Sequence, residues 1–96
     1  MSERSPQGEE VKYTFILFVA GEEKNSRLAR ENLERICQDV EGKCEIQLVN
    51  VLEDFTTAAK HNILVTPSLL VTHPAPEVLI IGNLSNIDRV RNALNK

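Results

Sequence analysis

The stretch KYTFILFVA, at Lys12–Ala20, decides the fold of this chain. Side chains alternate between the two faces of a strand, and here both faces are apolar. A strand that is apolar on both faces belongs inside a sheet that is covered on both sides, as parallel strands usually are. One face consists of Tyr13, Phe15, Leu17 and Val19, and the other of Ile16, Phe18 and Ala20.

A helix and a second strand follow this first strand. Apolar residues recur with helical spacing from Leu28 to Val40, and Asn25 or Ser26 offers an N-cap oxygen before them. The segment Cys44–Leu52 then alternates as a strand does. Strand, helix and strand in this order predict a right-handed βαβ unit with parallel strands.

The second half of the sequence predicts a short helix, a hairpin and a last helix. Pro67 heads a strand at Ser68–Thr72, a position where the missing N–H of proline is tolerated. A short turn leads to a strand at Val78–Ile81, so the two should pair in antiparallel fashion. Ser85 is the N-cap candidate of the last helix. The predicted order βαβαββα is an α/β, thioredoxin-like layout.

The 96 residues suffice for one small domain, which we place at residues 12–96. Residues 1–11 are polar and predict a disordered tail. The net charge is -3 and aromatic residues make up 4% of the chain, which argues against a nucleic-acid partner. No apolar run approaches the roughly 18 residues of a membrane span. We expect a cytoplasmic protein that does not bind membranes.

The cysteines decide whether redox chemistry is expected. A thioredoxin-type enzyme needs a reactive cysteine at the start of the first helix, where the helix dipole stabilises a thiolate. The segment Gly21–Ser26 holds none; Cys37 falls on the apolar stripe and Cys44 opens the next strand. His61 and His73 have no further ligands at metal-site spacing. We therefore predict no catalytic residue, metal or cofactor, with a thiol- or glutathione-handling protein as the alternative.

Several motifs taken together resemble the KaiB family of cyanobacterial clock proteins. The resemblance runs from about Tyr13 to Leu94, and the order of its motifs makes it specific. These motifs are FVAG at 18–21, Asn25-Ser26, NVL at 50–52, ILVTPSL at 63–69, PAP at 74–76 and IGNLS at 81–85. Family members commonly carry Asp where this chain has Asn50, Asn83 and Asn86.

The resemblance implies a non-enzymatic module that binds the N-terminal ATPase ring of a KaiC-type protein and modulates its cycle. It also implies self-association to a dimer or tetramer, and an alternative arrangement of the C-terminal half, βαββααβ. The alternative function within the family is that of a KaiB homologue that has no clock role and acts in stress response. The residues expected to contact the partner are Asn25, Arg27, Arg30, Arg35 and Asn50.

A second set of residues is expected at the turns that such a rearrangement would involve. X–Pro isomerisation is slow enough to gate a change of fold, and the alternative is that the prolines simply punctuate turns. The residues of this set are Pro67, Pro74, Pro76, Gly82 and Asn83.

Overall fold

The computed structural model describes residues 11–94, and it confirms the predicted order βαβαββα. The alternative arrangement of the C-terminal half is not the one seen here and stays a prediction. The predicted tail at residues 1–11 lies outside the described residues except for Val11, with which the first strand begins. The elements are β1 (Val11–Val19), α1 (Lys24–Gln38), β2 (Lys43–Asn50), α2 (Phe55–Lys60), β3 (Ser68–His73), β4 (Val78–Ile81) and α3 (Ile87–Leu94).

The four strands form one mixed sheet in the order β2-β1-β3-β4. The pair β1–β2 is parallel, as the βαβ prediction requires, and Phe15 lies opposite Ile46. The pairs β1–β3 and β3–β4 are antiparallel, which confirms the predicted hairpin. Because β1 has a neighbouring strand on each side, it lies in the interior of the sheet, and its side chains form the centre of both faces.

The two faces of β1 enter two separate cores. Tyr13 and Leu17 pack with α1 and α3, while Ile16 and Phe18 pack against Ala58 of α2. The predicted covering of both faces is wrong at the β4 edge, because α2 has only 6 residues and does not reach it. On that face Leu79 and Ile81 are 45% and 48% exposed.

The starts of α1 and α3 differ from the sequence prediction. α1 begins at Lys24 with no side-chain cap, and Ser26 is fully buried inside its first turn. The Ser26 hydroxyl accepts a hydrogen bond from the Ala20 N–H at 3.0 Å instead of capping the helix. At α3 the cap is Asn86, whose Oδ1 accepts from the Arg89 N–H at 3.1 Å, and not Ser85. No helix within residues 11–94 is long and apolar enough to cross a membrane.

Candidate partner-binding surface

The sheet brings half of the predicted site residues to one of its ends. Parallel β1 and β2 both finish there, whereas antiparallel β3 begins there and β4 finishes there. We call this end the Pro67 edge, and define it by Asn25, Asn50, Pro67, Gly82 and Asn83. Residues that are 58 positions apart in sequence are therefore neighbours in space.

Asn50 closes the junction between the two parallel strands. Its side-chain Oδ1 accepts hydrogen bonds from the backbone N–H of Gly21 at 3.0 Å and of Leu52 at 3.1 Å. The Val51 N–H donates to the Val19 carbonyl at 2.8 Å directly beside this pair. An acceptor oxygen at position 50 is therefore needed for the local backbone, whether or not a partner also contacts it.

Asparagine side chains form the hydrogen bonds between the loop after β4 and α1. The Asn83 Nδ2 donates to the Asn25 Oδ1 at 3.1 Å, and the Asn32 Nδ2 donates to the Asn83 carbonyl at 2.9 Å. The Gly82 N–H donates to the Pro67 carbonyl at 2.9 Å, with Gly82 at φ +119, a region that glycine adopts most easily. α1, β3 and the loop after β4 are thus joined at the Pro67 edge.

The three predicted arginines do not form one basic patch. Arg27 is exposed near the Pro67 edge, whereas Arg35 lies about 12 Å farther along the helix axis, at 1.5 Å per residue. Arg30 forms an ion pair with Glu22 at 3.7 Å, and Arg35 donates to the Asn32 Oδ1 at 3.4 Å. Exposed acidic residues lie between the arginines on the same helix face, namely Glu31 and Glu34.

The predicted turn residues are divided between the two ends of the sheet. Pro67 is buried and heads β3, as the sequence predicts. Pro74 and Pro76 are exposed in the turn between β3 and β4, at the far end from Pro67. The peptide bonds that precede Pro67, Pro74 and Pro76 are cis. The two exposed prolines therefore do not belong to the Pro67 edge.

Four of the exposed apolar side chains lie in the segments between β2 and β3, and the sequence analysis did not identify them as a surface. Leu52 and Phe55 are each 72% exposed, Leu64 is 94% exposed and Val65 is 50% exposed. We call these four residues the apolar cluster. They lie where the chain leaves β2 and where it approaches β3, so they adjoin the Pro67 edge. Phe55, Leu64 and Val65 line a groove of about 500 Å³ beside α2.

The signal for this cluster was present in the sequence. Leu64 and Val65 are apolar residues in a connecting segment, outside the periodic stripes that predict core positions. Leu52 is included in the predicted second strand, but β2 ends at Asn50. Large apolar side chains that cannot reach a core and cluster at the surface typically mark a binding site for another protein.

The two cysteines lie away from the Pro67 edge. Cys37 is in the last turn of α1 and Cys44 is at the start of β2, and both are half-buried against the core beneath α1. Burial raises the pKa of the Cys37 thiol above its usual range, and contact with the Cys44 side chain raises it further. At the position of a thioredoxin nucleophile the chain has Gly21–Ser26, without a thiol. Within residues 11–94 no three potential metal ligands converge.

Comparison with known structures places the fold. The N-terminal domain of Synechococcus elongatus SasA superposes with a TM-score of 0.74 at 24% identity, covering 98% of this chain and 90% of that domain. Mitochondrial thioredoxin 3 of Saccharomyces cerevisiae superposes with a TM-score of 0.70 at 15% identity, covering 90% of this chain and 79% of the thioredoxin. At these identities the likeness establishes a thioredoxin-like fold and nothing about activity.

Comparison of sequences identifies the family. The circadian clock protein KaiB3 of Synechocystis sp. is 36% identical over 75 residues, which cover 77% of this chain and 74% of that protein. The circadian clock oscillator protein KaiB of Nostoc punctiforme is 38% identical over 79 residues, covering 81% of this chain and 76% of that protein. The family model of the KaiB domain matches residues 16–95. The chain is therefore a member of the KaiB family.

Proposed function

We propose that this chain is a non-enzymatic interaction module that binds the N-terminal ATPase ring of a KaiC-type protein and modulates its cycle. Membership of the KaiB family supports this choice of partner, since relatives in Nostoc and Synechocystis carry clock names. The observation that carries a binding role is the apolar cluster, where Leu64 is 94% exposed beside a groove of about 500 Å³.

The proposed contact surface combines the apolar cluster with polar residues around it. Leu64 and Val65 supply the apolar centre, and exposed Arg27 and Asn25 at the start of α1 supply a polar rim. Arg30 and Arg35 extend this rim along α1. The Asn50 side chain accepts a hydrogen bond from the Leu52 N–H and so positions the backbone of Leu52. Such surfaces derive most of their affinity from a few side chains that become buried at the centre of the interface, while rim charges set the choice of partner.

The apolar part of the proposal is tested by binding to a purified KaiC-type ATPase in the presence of ATP. Replacing the anchors together, Leu64→Ser with Val65→Ser, should weaken binding about tenfold or more, the usual loss for central interface residues. Leu79→Ser is the matched control, because Leu79 is also an exposed apolar residue but lies on β4. Equal loss of binding in the double variant and in Leu79→Ser, or no loss of binding in either, contradicts the proposed surface.

The polar rim is tested by single charge reversals. Arg27→Glu should weaken binding, whereas Lys43→Glu, an exposed charge at the start of β2 and so at the far end of the sheet, should leave it unchanged. Both proteins should keep the circular dichroism spectrum of the wild type. If Arg27→Glu binds as tightly as Lys43→Glu does, α1 does not contribute to the interface.

Self-association to a dimer or tetramer belongs to the same proposal. Size-exclusion chromatography with light scattering, at several protein concentrations, measures whether a monomer is accessible. Binding that increases as the monomer fraction increases supports the module function. Binding by the oligomer alone contradicts it and favours a structural oligomer.

A further inference from the structure

The last turn of α1 and the first residues of β2 place the chain's two cysteines together. The Cys37 and Cys44 side chains are close enough to influence each other, although the chain makes a turn between them. Both thiols pack against the core that lies beneath α1, and both are half-buried and not sealed inside it. Gly42, at φ +109, allows the tight reversal that brings β2 back toward the helix end.

We propose that Cys37 and Cys44 are a reversible modification site, which a low-molecular-weight disulfide such as oxidised glutathione converts to an intramolecular disulfide. The bond would join the end of α1 to the start of β2. It requires the two sulfur atoms to approach to about 2.05 Å. The site is independent of the proposed partner, because it lies at the far end of the sheet from the Pro67 edge.

The exchange proceeds through two attacks with balanced electrons. The Cys44 thiol loses its proton and its sulfur attacks the external disulfide, whose S–S bond breaks to release one small thiolate. The Cys37 sulfur then loses its proton and attacks the Cys44 sulfur, which expels the second small thiolate. Two chain thiols are oxidised, one external disulfide is reduced to two thiols, and the two protons pass to those thiols.

The environment of Cys37 favours this order of attack. Because burial and the neighbouring thiol raise its pKa, Cys37 is the poorer initial nucleophile. Once Cys44 is joined to the small thiol in a mixed disulfide, it no longer has an S–H group beside Cys37. The contribution of that group to the raised pKa of Cys37 is then removed. Cys37 is then next to the sulfur that it must attack, so the mixed disulfide should be short-lived.

The first part of the test uses the wild-type protein. The reduced chain is incubated with mixtures of reduced and oxidised glutathione, quenched by alkylation and digested with trypsin. Cleavage after Arg35, Lys43 and Lys60 places the cysteines in different peptides, 36–43 and 44–60. The expected product is these two peptides joined by one disulfide, from a protein that stays monomeric on a non-reducing gel.

Single variants give the matched control. Cys37→Ala should retain glutathione on Cys44 as a stable adduct, because the resolving thiol is gone, while the wild type should not accumulate it. The joined peptides should be absent from Cys37→Ala and from Cys44→Ala. In the wild type, reduction should separate them into two peptides that each carry a free thiol. A glutathione adduct on the wild type as stable as that on Cys37→Ala, a disulfide-linked dimer, or thiols that stay reduced in excess oxidised glutathione would overturn the proposal.

Discussion

The side-chain oxygen of Asn50 accepts a hydrogen bond from the backbone N–H of Gly21 at 3.0 Å, so the ends of the two parallel strands are tied by one amide. The same oxygen accepts from the Leu52 N–H at 3.1 Å. A carboxylate offers the same acceptor geometry as an amide oxygen, whereas a methyl group offers none. The stability of the strand junction should therefore depend on the oxygen at position 50 and not on the amide nitrogen.

Asn50→Ala should lower the free energy of unfolding by about 1–2 kcal/mol, because two backbone donors lose their acceptor. Asn50→Asp should stay within about 0.5 kcal/mol of the wild type, because both bonds are retained. Urea denaturation followed by circular dichroism measures both values. Equal destabilisation by the two substitutions would show that the amide nitrogen of Asn50 is needed as well.

Gly21 is required by its backbone conformation more than by space. It has φ +60, and a methyl group added there would lie 3.3 Å from the Leu52 Cδ1. Gly21→Ala should cost about 1–2 kcal/mol of stability from the left-handed backbone. Adding Leu52→Ala to Gly21→Ala should recover little of this, because Leu52 is 72% exposed and can move aside. Full recovery in the double variant would identify crowding as the cause instead.

Ser26 stabilises the turn between β1 and α1 from inside the helix. Its buried hydroxyl accepts from the Ala20 N–H at 3.0 Å and donates to the Glu23 Oε1 at 3.2 Å. Ser26→Ala should lower the free energy of unfolding by about 1–2 kcal/mol, because it leaves the Ala20 donor without a partner. Glu23→Gln is the control, since it keeps the acceptor for the hydroxyl. A smaller loss for Ser26→Ala than for Glu23→Gln, by urea denaturation, would contradict this account.

The element order was predictable because each β1 face carries its own apolar set. Phe15 and Phe18 belong to different cores, which only an interior strand allows, and the predicted strand differs from the observed one by a single residue at each end. The caps of α1 and α3 were predicted wrongly because Ser, Asn and Asp side chains have several possible acceptors or donors nearby. Ser26 bonds back to β1, and only the packed turn decides this.

The candidate surface was less predictable than the fold. The Asn25–Asn83 hydrogen bond joins residues 58 positions apart, and no local spacing encodes such a contact. The apolar cluster was missed because sequence patterns treat apolarity as a sign of burial, while Leu64 is 94% exposed. The adjacency of Cys37 and Cys44 also depends on the path of the chain from the end of α1 to the start of β2. The structure shows this path, whereas the sequence leaves it open.

The Cys37 thiol makes the free energy of unfolding depend on pH in the alkaline range. Its pKa in the folded state is raised above the ordinary value of 9.0, first by burial and then by the contact with Cys44. Between the ordinary and the raised pKa, the unfolded chain has lost a proton that the folded chain still holds. The free energy of unfolding should therefore be unaffected by this group below about pH 9 and should fall as the pH rises above it.

Cys37→Ala isolates this contribution from that of the other groups that titrate in the alkaline range. Urea denaturation of the reduced proteins at several pH values between about 7 and 10.5 gives the two profiles. The wild type should lose stability above pH 9 more steeply than Cys37→Ala does, because the variant lacks the Cys37 thiol, whose proton the wild type loses on unfolding. Profiles of equal slope would mean that the folded state does not hold the Cys37 proton more tightly than the unfolded chain, which would remove the ground for assigning Cys37 the second attack in the exchange.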